Sequence, residues 1–194
     1  MPTTERIAPL PLPLRGEAAE VVARMMPPRD TRPPLALFRV FARNLPMAQA
    51  LLTWGGRELS RGLGVDLHDR ELVIDRVCAR CGCAYEWGVH AAFFGERAGL
   101  DRRALTATVL GDDRDPAWSP RDRLLVALVD QLHERATVDD ALLDQLRRHW
   151  TDEQLLDLLM LAGWYHAICY VANAAGLAPE PWALPYPTTA SPAT

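Results

Sequence analysis

The chain has 194 residues, a length that suits one domain with a real hydrophobic core. Hydrophobic content of 49%, charged content of 24% and a net charge of −4 are globular values, and they exclude the basic stripe of a nucleic-acid surface. The longest apolar stretch, over 155–175, is interrupted by Asp157, His166 and Asn173, so no run reads as a membrane span of roughly 18 residues.

The N-terminal stretch lacks the charged start and apolar block of a signal peptide, which points to a cytoplasmic protein. Almost every later segment reads as helix. A short amphipathic helix over 17–26 leads into the proline-punctuated connector at 27–34. Helices follow over 35–44, 46–60 and 69–81, the last with Leu72, Ile74 or Asp75, and Cys78 at helical spacing. Gly82 breaks the chain before a partner helix over 84–98, which stops at Gly99. A short helix over 102–109 comes next. Ser119-Pro120 starts a helix that runs to about residue 135, with a cap residue and a proline at the first helical position. Another helix covers 139–149. Thr151 with Gln154 three residues on opens the last long helix as a capping box, ending near Ala175 before Gly176. No hairpin signal appears. The fold class is therefore all-α, antiparallel helices with short connections. The domain reading is an N-terminal arm and short helix at 1–34, a helical domain at 35–178, and a proline-rich tail at 179–194 without periodicity, extended or partly disordered.

Cys83, Glu86 and His90 stand at i, i+3 and i+7, one face of a helix. They bring a thiol, a carboxylate and an imidazole into one space. Glu71, one helix upstream, reaches toward the same pocket, and a histidine oriented by a carboxylate is a general-base arrangement. Cys83 follows Gly82 near a helix N-terminus, where exposed N–H groups favour a thiolate, while Glu86 opposes a second negative charge. The competing readings are a buried packing cysteine, a satisfied core histidine and a first-turn glutamate paired with Arg70. Asp75 and Arg76 read as solvated charges unless Asp75 joins Glu71 and Cys78 on their stripe. Three of the four cysteines, Cys78, Cys81 and Cys83, crowd together, unlike a dispersed disulfide framework. Cys78-x-x-Cys81 lies toward a helix C-terminus, which disfavours a thioredoxin-like role, and it lacks a second Cys/His pair at zinc-finger spacing, so no metal is expected. His166, Cys169 and Asn173 share a face of the last helix, and read best as groups hydrogen-bonded within the core or across an interface.

The run RELVIDRV followed by C-x-YEWGVH and a Gly-Leu pair, spanning 70–100, resembles the carboxymuconolactone decarboxylase superfamily, which includes the alkylhydroperoxidase D-like proteins. Weaker likeness extends from Arg6 to Leu177. The resemblance implies an alkylhydroperoxidase D-like helical bundle, assembled as a homo-oligomer (dimer, trimer or hexamer). It matches Glu71, Cys83 and His90 to the glutamate, first cysteine and histidine of the peroxidase branch. Glu86 stands where that branch has its peroxidatic cysteine, so the usual disulfide pair cannot form there. The decarboxylase branch needs proton transfer rather than redox thiols, which suits Glu71, Glu86 and His90. The expected function is acid–base chemistry on a small molecule, with His90 as acid or base. A thiol peroxidase using Cys83, and a non-catalytic ligand-binding oligomer, are the alternatives. No cofactor, nucleic-acid partner or membrane partner is expected.

Overall fold

A computed structural model describes residues 6–60 and 62–188. Among these residues there are nine helices and no strand: α1 (Gly16–Met25), α2 (Ala36–Phe41), α3 (Leu45–Glu58), α4 (Leu67–Arg80), α5 (Ala84–Phe94), α6 (Arg102–Leu110), α7 (Pro120–Arg135), α8 (Asp140–Leu146) and α9 (Asp152–Ala175). The fold is all-α, with every helix in the expected order.

Local chemistry sets the helix starts. Asp66, Asp101 and Asp139 each accept a backbone N–H three residues on, at 2.8 Å. Ser119 with Asp122 and Thr151 with Gln154 form complete capping boxes. Gly176 ends α9 in the left-handed region, at φ 70°, which a residue without a Cβ adopts freely. Three helices are shorter than their sequence pattern. α5 stops at Phe94 rather than near 98, and α2 and α8 lose their last residues to turns.

α4 is the central helix, packed against α5, α6, α7 and α9. It is buried at every position from 69 to 78, five of them charged. Burying those charges requires partners. Asp69 accepts from Trp150 Nε1 at 2.8 Å and from Arg121 Nη1 at 2.7 Å. Arg76 donates to Asp130 and to the carbonyls of Thr108 and Gly111. The expectation that Asp75 and Arg76 are solvated is thus corrected, because α5, α6, α7 and α9 enclose the 69–78 stretch of α4.

α9 also departs from its sequence reading. It is long and apolar enough to cross a membrane by length and composition, with mean hydropathy 1.5, since Asp157 alone carries charge in its middle. Half of that apolar window is buried against the other helices. It serves as a core helix touching α4, α5 and α2.

The proline-rich segment after α9 runs without helix or strand through residue 188; residues 189–194 lie outside the described residues. Leu184 N–H donates to Gly88 O at 3.0 Å. Glu180 accepts from Tyr85 Oη at 2.6 Å and from Ala36 N at 2.7 Å, satisfying the first turn of α2. Tyr186 Oη donates to Ala79 O at 3.2 Å. The segment is a strap over α5, held by side chains and turns that leave no helical period to read.

Candidate active site

α4 and α5 meet as antiparallel neighbours, so residues near the start of α4 face residues near the end of α5. Glu71 and His90 come together there. His90 Nδ1 lies 2.8 Å from Glu71 Oε2, and both side chains are almost fully buried. The other oxygen of Glu71 accepts from Arg70 Nε at 2.7 Å. One turn back on α5, Glu86 Oε1 lies 3.5 Å from His90 Nε2. Glu86 Oε2 is buried without a hydrogen-bond partner. Tyr165 of α9 packs edge-on against the imidazole, centroids 4.9 Å apart, and Phe94 lies 5.4 Å away.

Glu86 and His90 open onto a cavity of ≈ 180 Å³ between the α1–α3 layer and the α5/α9 pair. Its walls are largely apolar, with Phe38, Phe41, Phe93, Trp164 and Trp182 among them. An apolar cavity of about 150 Å³ accepts a benzene ring, so this one suits a one-ring molecule. Trp182 comes from the strap, and its ring stacks with Arg32, whose guanidinium lies 3.9 Å from the Trp182 centroid and 4.6 Å from that of Phe93. Arg32 is paired with Asp30 at 2.7 Å. The cavity thus has an acid–base group at its inner end and a neutralised ion pair on its wall.

Burial pushes the His90 imidazole toward its neutral form, but the charge and hydrogen bond of Glu71, with Glu86 added, outweigh it and raise the ring to about 10. His90 is therefore a buried imidazolium at neutral pH, a proton donor held between two acids. Asp75, one turn after Glu71 on α4, is fully buried and neither oxygen has a hydrogen-bond partner. Burial, then the like charge of Glu71, push it well above the ordinary carboxylate range.

Cys83 lies elsewhere. It is the N-cap of α5, fully buried, with its N–H bonded to Cys78 O at 2.8 Å. It is absent from the cavity lining, and so is every other cysteine. The thiols gather instead in the seam between α4 and α9, where Cys169 Sγ lies 3.8 Å from Cys78 Sγ. All four cysteines are free. Three of the predicted site residues, Glu71, Glu86 and His90, therefore converge, and the fourth, Cys83, faces a different seam. The pairing of Glu71 with Arg70, a competing reading of the sequence, is present, while sequence reasoning missed Tyr165 as a neighbour of the site. The signal for Tyr165 was a polar aromatic in an otherwise apolar stretch of α9.

No protein-family model matches the chain, and no curated protein matches it either. Solved structures do. The crystal structure of an uncharacterized peroxidase-related protein from Silicibacter sp. TM1040 superposes with a TM-score of 0.67 at 18% identity, covering 75% of this chain and 76% of that one. The two chains share an all-helical bundle fold, consistent with the alkylhydroperoxidase D-like architecture expected from the sequence. At this identity the likeness speaks to architecture, and the chemistry rests on the residues present.

Proposed function

We propose that this chain is a carboxymuconolactone decarboxylase-like enzyme doing acid–base chemistry on a compact, largely apolar small molecule, with His90 as the acid. One observation carries the reading: the buried Glu71–His90 pair, 2.8 Å across, presents its free imidazole nitrogen beside Glu86 at the inner end of an apolar cavity. Glu71 takes Nδ1, which fixes the ring and leaves Nε2 for the substrate. In a decarboxylation, the carbon–carboxylate bond breaks, carbon dioxide leaves, and the electron pair passes into an adjacent carbonyl. The Nε2–H stabilises that oxygen and then protonates the carbon. In an enol-lactone isomerisation, Glu86 accepts the proton from carbon and His90 returns one at the far end of the conjugated system. Either step is redox-neutral and needs no group beyond those in the cavity. The free thiols accord with a reducing cytoplasm as the place of action. A homo-oligomer belongs to the same proposal.

The second reading is a thiol peroxidase. The Cys78–Cys169 pair, 3.8 Å apart with Cys83 N–H bonded to Cys78 O, favours it, although no thiol reaches the cavity. Turnover of small carboxylated lactones and, separately, of organic hydroperoxides with dithiothreitol distinguishes the two. The acid–base reading expects lactone turnover that falls by about 10²–10⁴ in His90→Gln and survives in Cys83→Ser. Full activity in His90→Gln would overturn it. Hydroperoxide consumption lost only in Cys83→Ser would establish the second reading, and a ligand bound without turnover would leave the protein a binding oligomer.

A further inference from the structure

A second set of reactive side chains lies on the other side of α9. Cys81 caps the C-terminus of α4, His133 sits in the last turn of α7, and His166 lies in the middle of α9. One donor atom from each lies within 4.8 Å of the other two. The imidazoles stack with centroids 5.2 Å apart and planes 10° from parallel. They wall a cavity of ≈ 150 Å³ whose remaining lining is aliphatic, Val77, Val129, Leu132 and Leu159 among it. Inside that apolar surround, His133 Nδ1 is buried and has no hydrogen-bond partner. An unpaired ring nitrogen in such a place is costly, and a ligand that needs a lone pair relieves the cost.

We propose that Cys81, His133 and His166 form a transition-metal site of zinc type, with three protein donors and an open fourth position. One sulfur and two imidazole nitrogens are the donor set of zinc and its borderline-soft neighbours, and a poor set for magnesium or calcium. Donors on one tetrahedral zinc lie about 3.3–3.8 Å apart, so closure from 4.8 Å asks for a movement of about 1 Å. All three residues are half-buried, which leaves their side chains room to turn and the ion a way in. Asn173 Nδ2 donates to Cys81 O at 2.9 Å and holds the backbone of the sulfur donor against α9. Arg80 beside it is occupied by Glu134 at 2.7 Å. The expectation of no metal rested on the missing second half of a zinc-finger pattern. The bundle supplies that half from two distant helices, one histidine each.

The site ties the end of α4 to α7 and α9. Its α9 ligand directly follows Tyr165, which packs on His90 from the opposite face. The site is nevertheless separate from the acid–base cavity, and its test does not depend on a substrate. The chelator-stripped full chain is titrated with cobalt(II) and then with zinc(II). One equivalent of cobalt should bind, with visible bands of a tetrahedral ion and a near-ultraviolet thiolate band, and zinc should displace it. Cys81→Ser should abolish the thiolate band. His133→Gln and His166→Gln should each weaken binding by more than the roughly tenfold that losing even an outer partner costs, whereas His90→Gln should leave binding unchanged. Circular dichroism checks that each variant keeps its helices, and the two half-exposed histidine variants decide the question if Cys81→Ser misfolds. Cobalt that binds without a thiolate band, or binding untouched by both histidine changes, would overturn the site.

Discussion

His90 carries a charge that burial alone would remove, and it does so because two acids share the space. Its stability contribution has a definite sign. A ring raised from 6.5 to about 10 favours the fold fully below 6.5, and that contribution is lost as pH rises through about 10. Asp75 acts in the same direction, since an acid raised by the fold also binds its proton more tightly there than in the unfolded chain. Urea denaturation should therefore show stability falling steadily from pH 6.5 to 10. Glu71→Gln removes the main cause. In that variant the His90 ring resonances, unmoved between pH 6 and 8 in the parent, should titrate at a lower pH, and the alkaline slope should flatten. A His90 ring that titrates near 6.5 in the parent would show that the two acids do not hold its proton.

At the scale of elements, α5 depends on a neighbour outside the helix pattern. A Cβ added at Gly88 would stand 2.6 Å from Leu184 O and 3.2 Å from the Ala183 Cβ. The first distance is a clash with backbone that only a shift of the strap can relieve. Gly88→Ala should lower stability by about 1–3 kcal/mol, the usual cost of overpacking. Hydrogen exchange at the Leu184 amide, which donates to Gly88 O, should speed up. Unchanged protection at that amide would mean the strap is not seated there. This contact also marks where the sequence stopped being legible. α7 and α9 were placed by Ser-Pro and Thr-x-x-Gln, local signals that need no tertiary context. Glu86 and His90 were legible as a pair because i,i+4 spacing fixes their common face. The strap had no such period. Arg76 was misread because a charge on a helix looks the same whether it faces water or an Asp130 across a seam. Cys81, His133 and His166 meet only through the packing of three helices, which no spacing records.

Across the whole molecule, nearly all charge that enters the core is paired, while some apolar surface is left out. Leu156 and Met160, one turn apart on α9, are 62% and 48% exposed, and Trp54 of α3 is 43% exposed. They are the natural contact face of the proposed homo-oligomer, since exposed apolar side chains grouped on one side mark interaction surfaces. Light scattering after gel filtration should give a dimer, trimer or hexamer, and Leu156→Glu should shift it to a smaller species with the helices intact. A monomer in the parent chain would overturn the assembly.

Trp182 follows every other residue of the cavity wall in the chain. As the polypeptide leaves the ribosome, the acids and the imidazole can find one another while the chamber they serve still lacks a side. One side of the chamber is thus written in a part of the gene separate from the acids and the imidazole. On the proposed function, an exchange of the final segment alone would present the same imidazole to a differently shaped guest, which gives evolution, or an engineer, a way to change the substrate without touching the helices that carry Glu71, Glu86 and His90.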